Sequence, residues 1–139
     1  MLIANEMVYF KRMQSSKINL IAVDDEKDLN ILFQHFFRNE IKQDLLDLSF
    51  AHDAEQCMKL LTEINTSNRI IVLSDINMPD INGIELTKMI NKDYPNVEVY
   101  LITAYQKDHI QDKIADTIQI KGIIHKPIDF QTLKFDIGL

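Results

Sequence analysis

Five short apolar runs, at residues 18–23, 48–51, 70–74, 97–103 and 120–124, alternate with stretches whose apolar residues recur at helical spacing. No other feature restricts the fold as strongly. IIVL, and INLIAV apart from Asn19, are apolar on consecutive residues, as in strands covered by helices on both faces. Between them, Leu29, Ile31, Leu32, Phe33, Phe36 and Phe37 mark a helix from Glu26 to about Asn39. Asp53 is placed to cap a second helix, and further helical patterns fall at about 84–92, 107–116 and 129–136. Strand and helix repeated in this order predict an α/β domain: a five-stranded parallel sheet with helices on both faces, joined by right-handed crossovers. Residues 1–16 fall outside the pattern and read as an N-terminal extension; residues 17–139 read as the one domain.

Polar residues stand where the runs stop. The first ends at Asp24-Asp25, the third at Asp75, the fourth at Thr103, and the fifth runs into Lys126. Singly, each has an ordinary reading: a helix N-cap, a turn residue, a β-branched strand residue, a solvated lysine. In a parallel sheet, however, these ends share one edge, where open α/β sheets build their sites. Closely packed carboxylates repel and raise one another's pKa. A divalent ion relieves this, and an all-oxygen donor set with room for water suits Mg²⁺. Carboxylates, Mg²⁺, a hydroxyl and a lysine together form a receptacle for a phosphoryl group. One carboxylate can act as nucleophile to form an acyl phosphate, and Asp75, ending an otherwise apolar run, is the candidate.

Charge and cysteine content remove several function classes. With 15 basic and 21 acidic residues the net charge is −6, which argues against nucleic-acid binding through this domain. Cys57 is the only cysteine, so no internal disulfide forms and a reducing, cytoplasmic setting is expected. No apolar run approaches the roughly 18 residues needed to span a bilayer. His125 beside Lys126 has no second His or Cys at zinc-ligand spacing.

The motifs VDDE (23–26), DINMPDINGIEL (75–86), LITAY (101–105) and HKP (125–127) resemble those of response-regulator receiver domains of two-component signalling. The resemblance covers about residues 18–139 and implies a flavodoxin-like fold. It implies that Asp75 is the phospho-acceptor, fed by a sensor histidine kinase or phosphotransfer protein. Asp25 would bind Mg²⁺ directly and Asp24 chiefly through water, with Asn77 adding its backbone carbonyl. Thr103 and Lys126 would contact the phosphoryl group, and the Lys126-Pro127 bond would be cis. Where the family often carries Tyr or Phe, three residues before the lysine, this chain has Ile123; Tyr105 is the nearest aromatic. A haloacid-dehalogenase-type phosphatase would need an acid two residues after the nucleophile, and Asn77 stands there. A docking domain that has lost phosphorylation is the alternative reading. Only 13 residues follow Lys126, which fits either a stand-alone receiver or part of a longer protein.

Overall fold

The computed structural model describes residues 17–64, 67–104 and 118–139. Strands β1 (Ile18–Val23), β2 (Leu46–Ala51), β3 (Arg69–Asp75), β4 (Glu98–Thr103) and β5 (Gly122–His125) form one parallel sheet in the order β2-β1-β3-β4-β5. The described helices are α1 (Asp28–Phe36), α2 (Arg38–Lys42), α3 (Ala54–Glu63), α4 (Gly83–Asp93) and α5 (Phe130–Asp136). The N-terminal extension, Tyr105 and the helix expected at 107–116 lie outside the described residues.

Period-two alternation along the central strands feeds two cores. Ile21, Val23, Ile70, Val72, Val99 and Leu101 pack with Cys57 and Leu61 of α3 and Leu86 and Ile90 of α4. Leu20, Ala22, Ile71, Leu73 and Ile102 pack on the other face with Phe33, Phe37, Phe130 and Leu133. Both faces of β1, β3 and β4 are therefore covered, which is why their sequences are mostly apolar. Helix starts follow the cap chemistry: Asp53 accepts from Gln56 N–H, Asn82 from Glu85 N–H, and Asp129 from the N–H groups of Gln131 and Thr132.

Three boundaries differ from the sequence expectation. The first helix starts at Asp28, not Glu26: the turn before it is the tighter i→i+3 kind, with Leu29 N–H on Glu26 O at 3.3 Å and Asn30 N–H on Lys27 O at 3.2 Å. It is also interrupted at Phe37 (φ −99°, ψ 9°), although its bonding continues from Phe37 N to Phe33 O and from Ile41 N to Phe37 O. β2 begins two residues early, since Asp44 at φ 59° closes α2 and Leu45 N–H returns to Glu40 O. β5 starts late: the Asn91 side chain exchanges two hydrogen bonds with the Gln119 backbone (2.8 and 3.1 Å), so α4 rather than β4 holds that residue.

At the lower edge of the sheet, Arg69 of β3 binds Glu98 through Nε (2.5 Å) and Nη2 (2.9 Å) and gives Nη1–H to Ile137 O at 2.6 Å. Tyr100 of β4 gives its hydroxyl to Asp136 O at 3.2 Å. The last turn of α5 is thus bonded to two neighbouring strands.

Candidate functional site

The strand order reverses direction at β1 and β3, and the crevice beyond their carboxyl ends is where such sheets bind ligands. The alternation that sends Leu20 and Ala22, Ile71 and Leu73, and Ile124 to one face continues to Asp24, Asp75 and Lys126. Thr103 follows Leu101 in its alternation, on the opposite face, and is fully buried. Sequence-distant side chains thus meet at one edge, as their positions predict.

Lys126 Nζ donates to Asp75 Oδ2 at 3.0 Å and lies 3.5 Å from Asp24 Oδ2. The other Asp75 oxygen, Oδ1, accepts from Asn77 N–H at 3.1 Å. Asp24 and Asp75 are buried, whereas Asp25 and Asn77 are exposed. One oxygen from each of Asp24, Asp25 and Asp75 falls within 4.8 Å of the others. Lys126 N–H is anchored on Thr103 O at 2.8 Å, and the Lys126-Pro127 bond is cis, as the resemblance implied.

Burial and then the Asp75 charge push the Asp24 carboxyl above its ordinary value of 3.8, against the lowering effects of the Glu26 N–H bond and Lys126. Burial pulls the Lys126 ammonium down, but its hydrogen bond to Asp75 and the charges of Asp75, Asp24 and Glu26 outweigh this and leave it above 10.5. Among the described residues, Lys126 is the only cation paired with Asp24 and Asp75. Asp24 Oδ2 is buried and, among the described residues, accepts no hydrogen bond and has the 3.5 Å approach of Lys126 as its one ion pair. An orphaned carboxylate oxygen beside two further carboxylates fits a hard divalent cation, and the all-oxygen donor set suits Mg²⁺.

The loop after β3 is shaped by its backbone. Gly83 N–H donates to Ile76 O at 2.9 Å, and a Cβ on Gly83 would overlap the Asp75 carbonyl oxygen. Asn82-Gly83 reads in the sequence only as a break before a helix; the closeness of that glycine to the acceptor strand was not legible. The Asn77 and Glu26 amides, which hold Asp75 and Asp24, were equally unpredicted, because backbone donors carry no residue-type signal. Beside Lys126 opens an apolar groove of about 580 Å³ whose lining includes Leu29, Leu32, Phe36, Pro127 and Phe130. Ile123 is half-buried, pairs in register with Leu101 and packs against the α3/α4 core.

The doubly wound parallel sheet thus carries three acids and a lysine together at its switch point. The family model "Response regulator receiver domain" matches residues 20–137, and the chain belongs to that family, the receiver domains of two-component systems. It is 31% identical to chemotaxis protein CheY of Pseudomonas aeruginosa over 103 residues, covering 70% of this chain and 81% of that protein. It is 26% identical to sporulation initiation phosphotransferase F of Bacillus subtilis over 124 residues, covering 88% and 90%. Of the relatives NtrC of Proteus hauseri, DegU of Brevibacillus brevis and LytT of Oceanobacillus iheyensis it spans only 17%, 50% and 46% of the length. Among solved structures, the signal receiver domain of an HD domain-containing protein from Pseudomonas fluorescens superposes with a TM-score of 0.74 at 23% identity, covering 87% of this chain and 84% of that one. The fold is the flavodoxin-like receiver fold.

Proposed function

We propose that Asp75 accepts a phosphoryl group from a partner histidine kinase or phosphotransfer protein and that the acyl phosphate switches the domain's hold on a downstream target. The observation that carries this reading is the Lys126 ammonium 3.0 Å from Asp75 Oδ2, within a cluster of three carboxylates. Asp24, Asp25 and Asp75, with the Asn77 carbonyl, would hold Mg²⁺, which would supply positive charge to the phosphoryl oxygens. The chain's own residues account for the remainder. A carboxylate oxygen of Asp75 attacks phosphorus; the bond from phosphorus to the donor's imidazole nitrogen breaks, and its electron pair leaves with that nitrogen. The Asn77 N–H and Lys126 orient the carboxylate, Lys126 offsets the charge transferred, and the Thr103 hydroxyl donates to a phosphoryl oxygen.

The domain would act as a signalling module with at most weak self-dephosphorylation, in residues 17–139, in the cytoplasm. No described helix is long and apolar enough to cross a membrane. Several relatives are named as transcriptional regulators, and control of an output of that kind is proposed here by similarity. The test is incubation with acetyl phosphate and Mg²⁺ followed by intact-mass spectrometry. One added phosphoryl group, absent in Asp75→Asn, is expected; an unlabelled wild-type chain would favour the docking-only reading.

A further inference from the structure

The strand that carries Asp75 contains one polar residue in its buried interior. Ser74 is fully buried and belongs by alternation with Ile70 and Val72, facing the α3/α4 core. A branched aliphatic residue would suit that site in a covered strand, and a buried hydroxyl is costly unless it finds a partner. The Ser74 hydroxyl donates to the carbonyl oxygen of Asp75 at 3.0 Å. The pairing of β3 with β1 stops at Val23 and Ser74, while Asp24 N–H extends the β2 side of β1 by donating to Ala51 O. The Asp75 peptide therefore lies one residue past the last strand partner on that side, where the backbone offers it no ladder.

The same carbonyl oxygen is confined from a second direction by Gly83, whose own position is fixed by its N–H bond to Ile76 O and by Thr87 Oγ1, which donates to Gly83 O at 2.7 Å. On the β4 side, Ile76 N–H is bonded to Ile102 O at 3.0 Å. The peptide between Asp75 and Ile76 is thus held by the Ser74 hydroxyl on one side, by the ladder on the other, and by the floor of α4 above. Its orientation sets the direction of the Asp75 Cα–Cβ bond, and so the meeting of Oδ1 with Asn77 N–H and of Oδ2 with Lys126.

We infer that Ser74 is a positioning residue for phosphoryl transfer: its hydroxyl bond to the Asp75 carbonyl aims the acceptor carboxylate. The inference rests on the proposed role of Asp75 as acceptor. The loss of attack geometry on removing such a support is expected to cost on the order of tenfold in rate.

The experiment compares wild type, Ser74→Ala and Ser74→Thr by two independent readouts. The first is the ¹⁵N resonance of the Asn77 amide and the side-chain ¹³Cγ resonance of Asp75 in metal-free, unphosphorylated protein. Ser74→Ala should move both, and Ser74→Thr, which keeps the hydroxyl, should leave both near wild type. The second is the rate of labelling at saturating acetyl phosphate and Mg²⁺, with melting temperature recorded in parallel. Ser74→Ala should lose about tenfold in that limiting rate, out of proportion to any change in melting temperature, and Ser74→Thr should recover most of it. Unmoved Asp75 and Asn77 resonances in Ser74→Ala would overturn the inference, as would equal rate losses in both variants, which would indicate packing alone. If wild type is not labelled at all, the acceptor role fails, and the resonances still decide whether Ser74 aims the carboxylate.

Discussion

The carbonyl oxygen of Asp75 occupies the space into which a side chain at Gly83 would grow, so the first residue of α4 is set by the backbone of the acceptor strand. A glycine in a helix ordinarily costs about 1 kcal/mol relative to alanine. Here the sign reverses. Gly83→Ala should destabilise the domain by about 1–3 kcal/mol, since the atoms it meets belong to backbone. Urea unfolding should show a lower midpoint with an unchanged slope.

Asp24 carries the strain of the acid cluster. Its folded carboxyl titrates above the 3.8 of an ordinary aspartate, chiefly through burial. The folded state therefore binds more protons than the unfolded state between those two values, and metal-free stability falls as pH rises through that window. It stays lower at neutral pH. Asp24→Asn should remove this slope and raise the metal-free melting temperature by about 3 °C at pH 7. Melting curves from pH 3.5 to 8 with a chelator present would test it; a lower melting temperature in the variant at pH 7 would contradict the assignment. Asp25, exposed beside it, should show no comparable gain.

Lys126 has the opposite linkage. Its ammonium titrates above 10.5, so its contribution is complete below the ordinary lysine value and disappears as pH rises through the folded one. Lys126→Ala should lower neutral-pH stability by about 1–2 kcal/mol in metal-free protein, because the Asp75 and Asp24 oxygens lose their cation. The difference from wild type should shrink in alkaline solution. Addition of Mg²⁺ should recover part of the loss, measured as a rise in melting temperature.

How much of this was legible beforehand depends on what each residue does. Asp24, Asp75 and Lys126 could be placed on one edge because alternation and strand order are written in apolar patterning, which burial on both faces enforces. The interruption at Phe37 could not, since no proline or glycine marks it; it coincides with a fully buried stack of Phe33 and Phe37, 5.9 Å apart. The late start of β5 was hidden for a similar reason. Asn91 bonds Gln119 like a neighbouring strand, across 28 residues, and such pairing leaves no local trace. Ile123, where the resemblance puts an aromatic, is half-buried and packed on the α3/α4 core, and Tyr105, the nearest aromatic, lies outside the described residues.

Cys57 offers a probe of global opening. The thiol is fully buried and pushed up to about 12, so the reactive thiolate is scarce and shielded in the native state. Labelling by a disulfide reagent at pH 8 should be negligible until the domain unfolds, and its rate should follow the urea unfolding curve. Rapid labelling in buffer would show that α3 opens locally from the sheet.

Arg69→Ala should free the end of α5. The change removes a bidentate pair with Glu98 and the donor to Ile137 O, at a cost of about 2–3 kcal/mol. Arg69→Lys should recover only part, lacking the planar fork. Hydrogen exchange should accelerate most in the amides of residues 137–139.

The bonds from Arg69 and Tyr100 give the sheet a mechanical property. β3 ends above in Asp75 and β4 in Thr103, and below, the same two strands grip the last turn of α5. That helix is a beam clamped at its far end, while its near end begins four residues after Lys126. A shift of β3 relative to β4 would therefore be felt at residues 136 and 137 through the bonds from Arg69 and Tyr100.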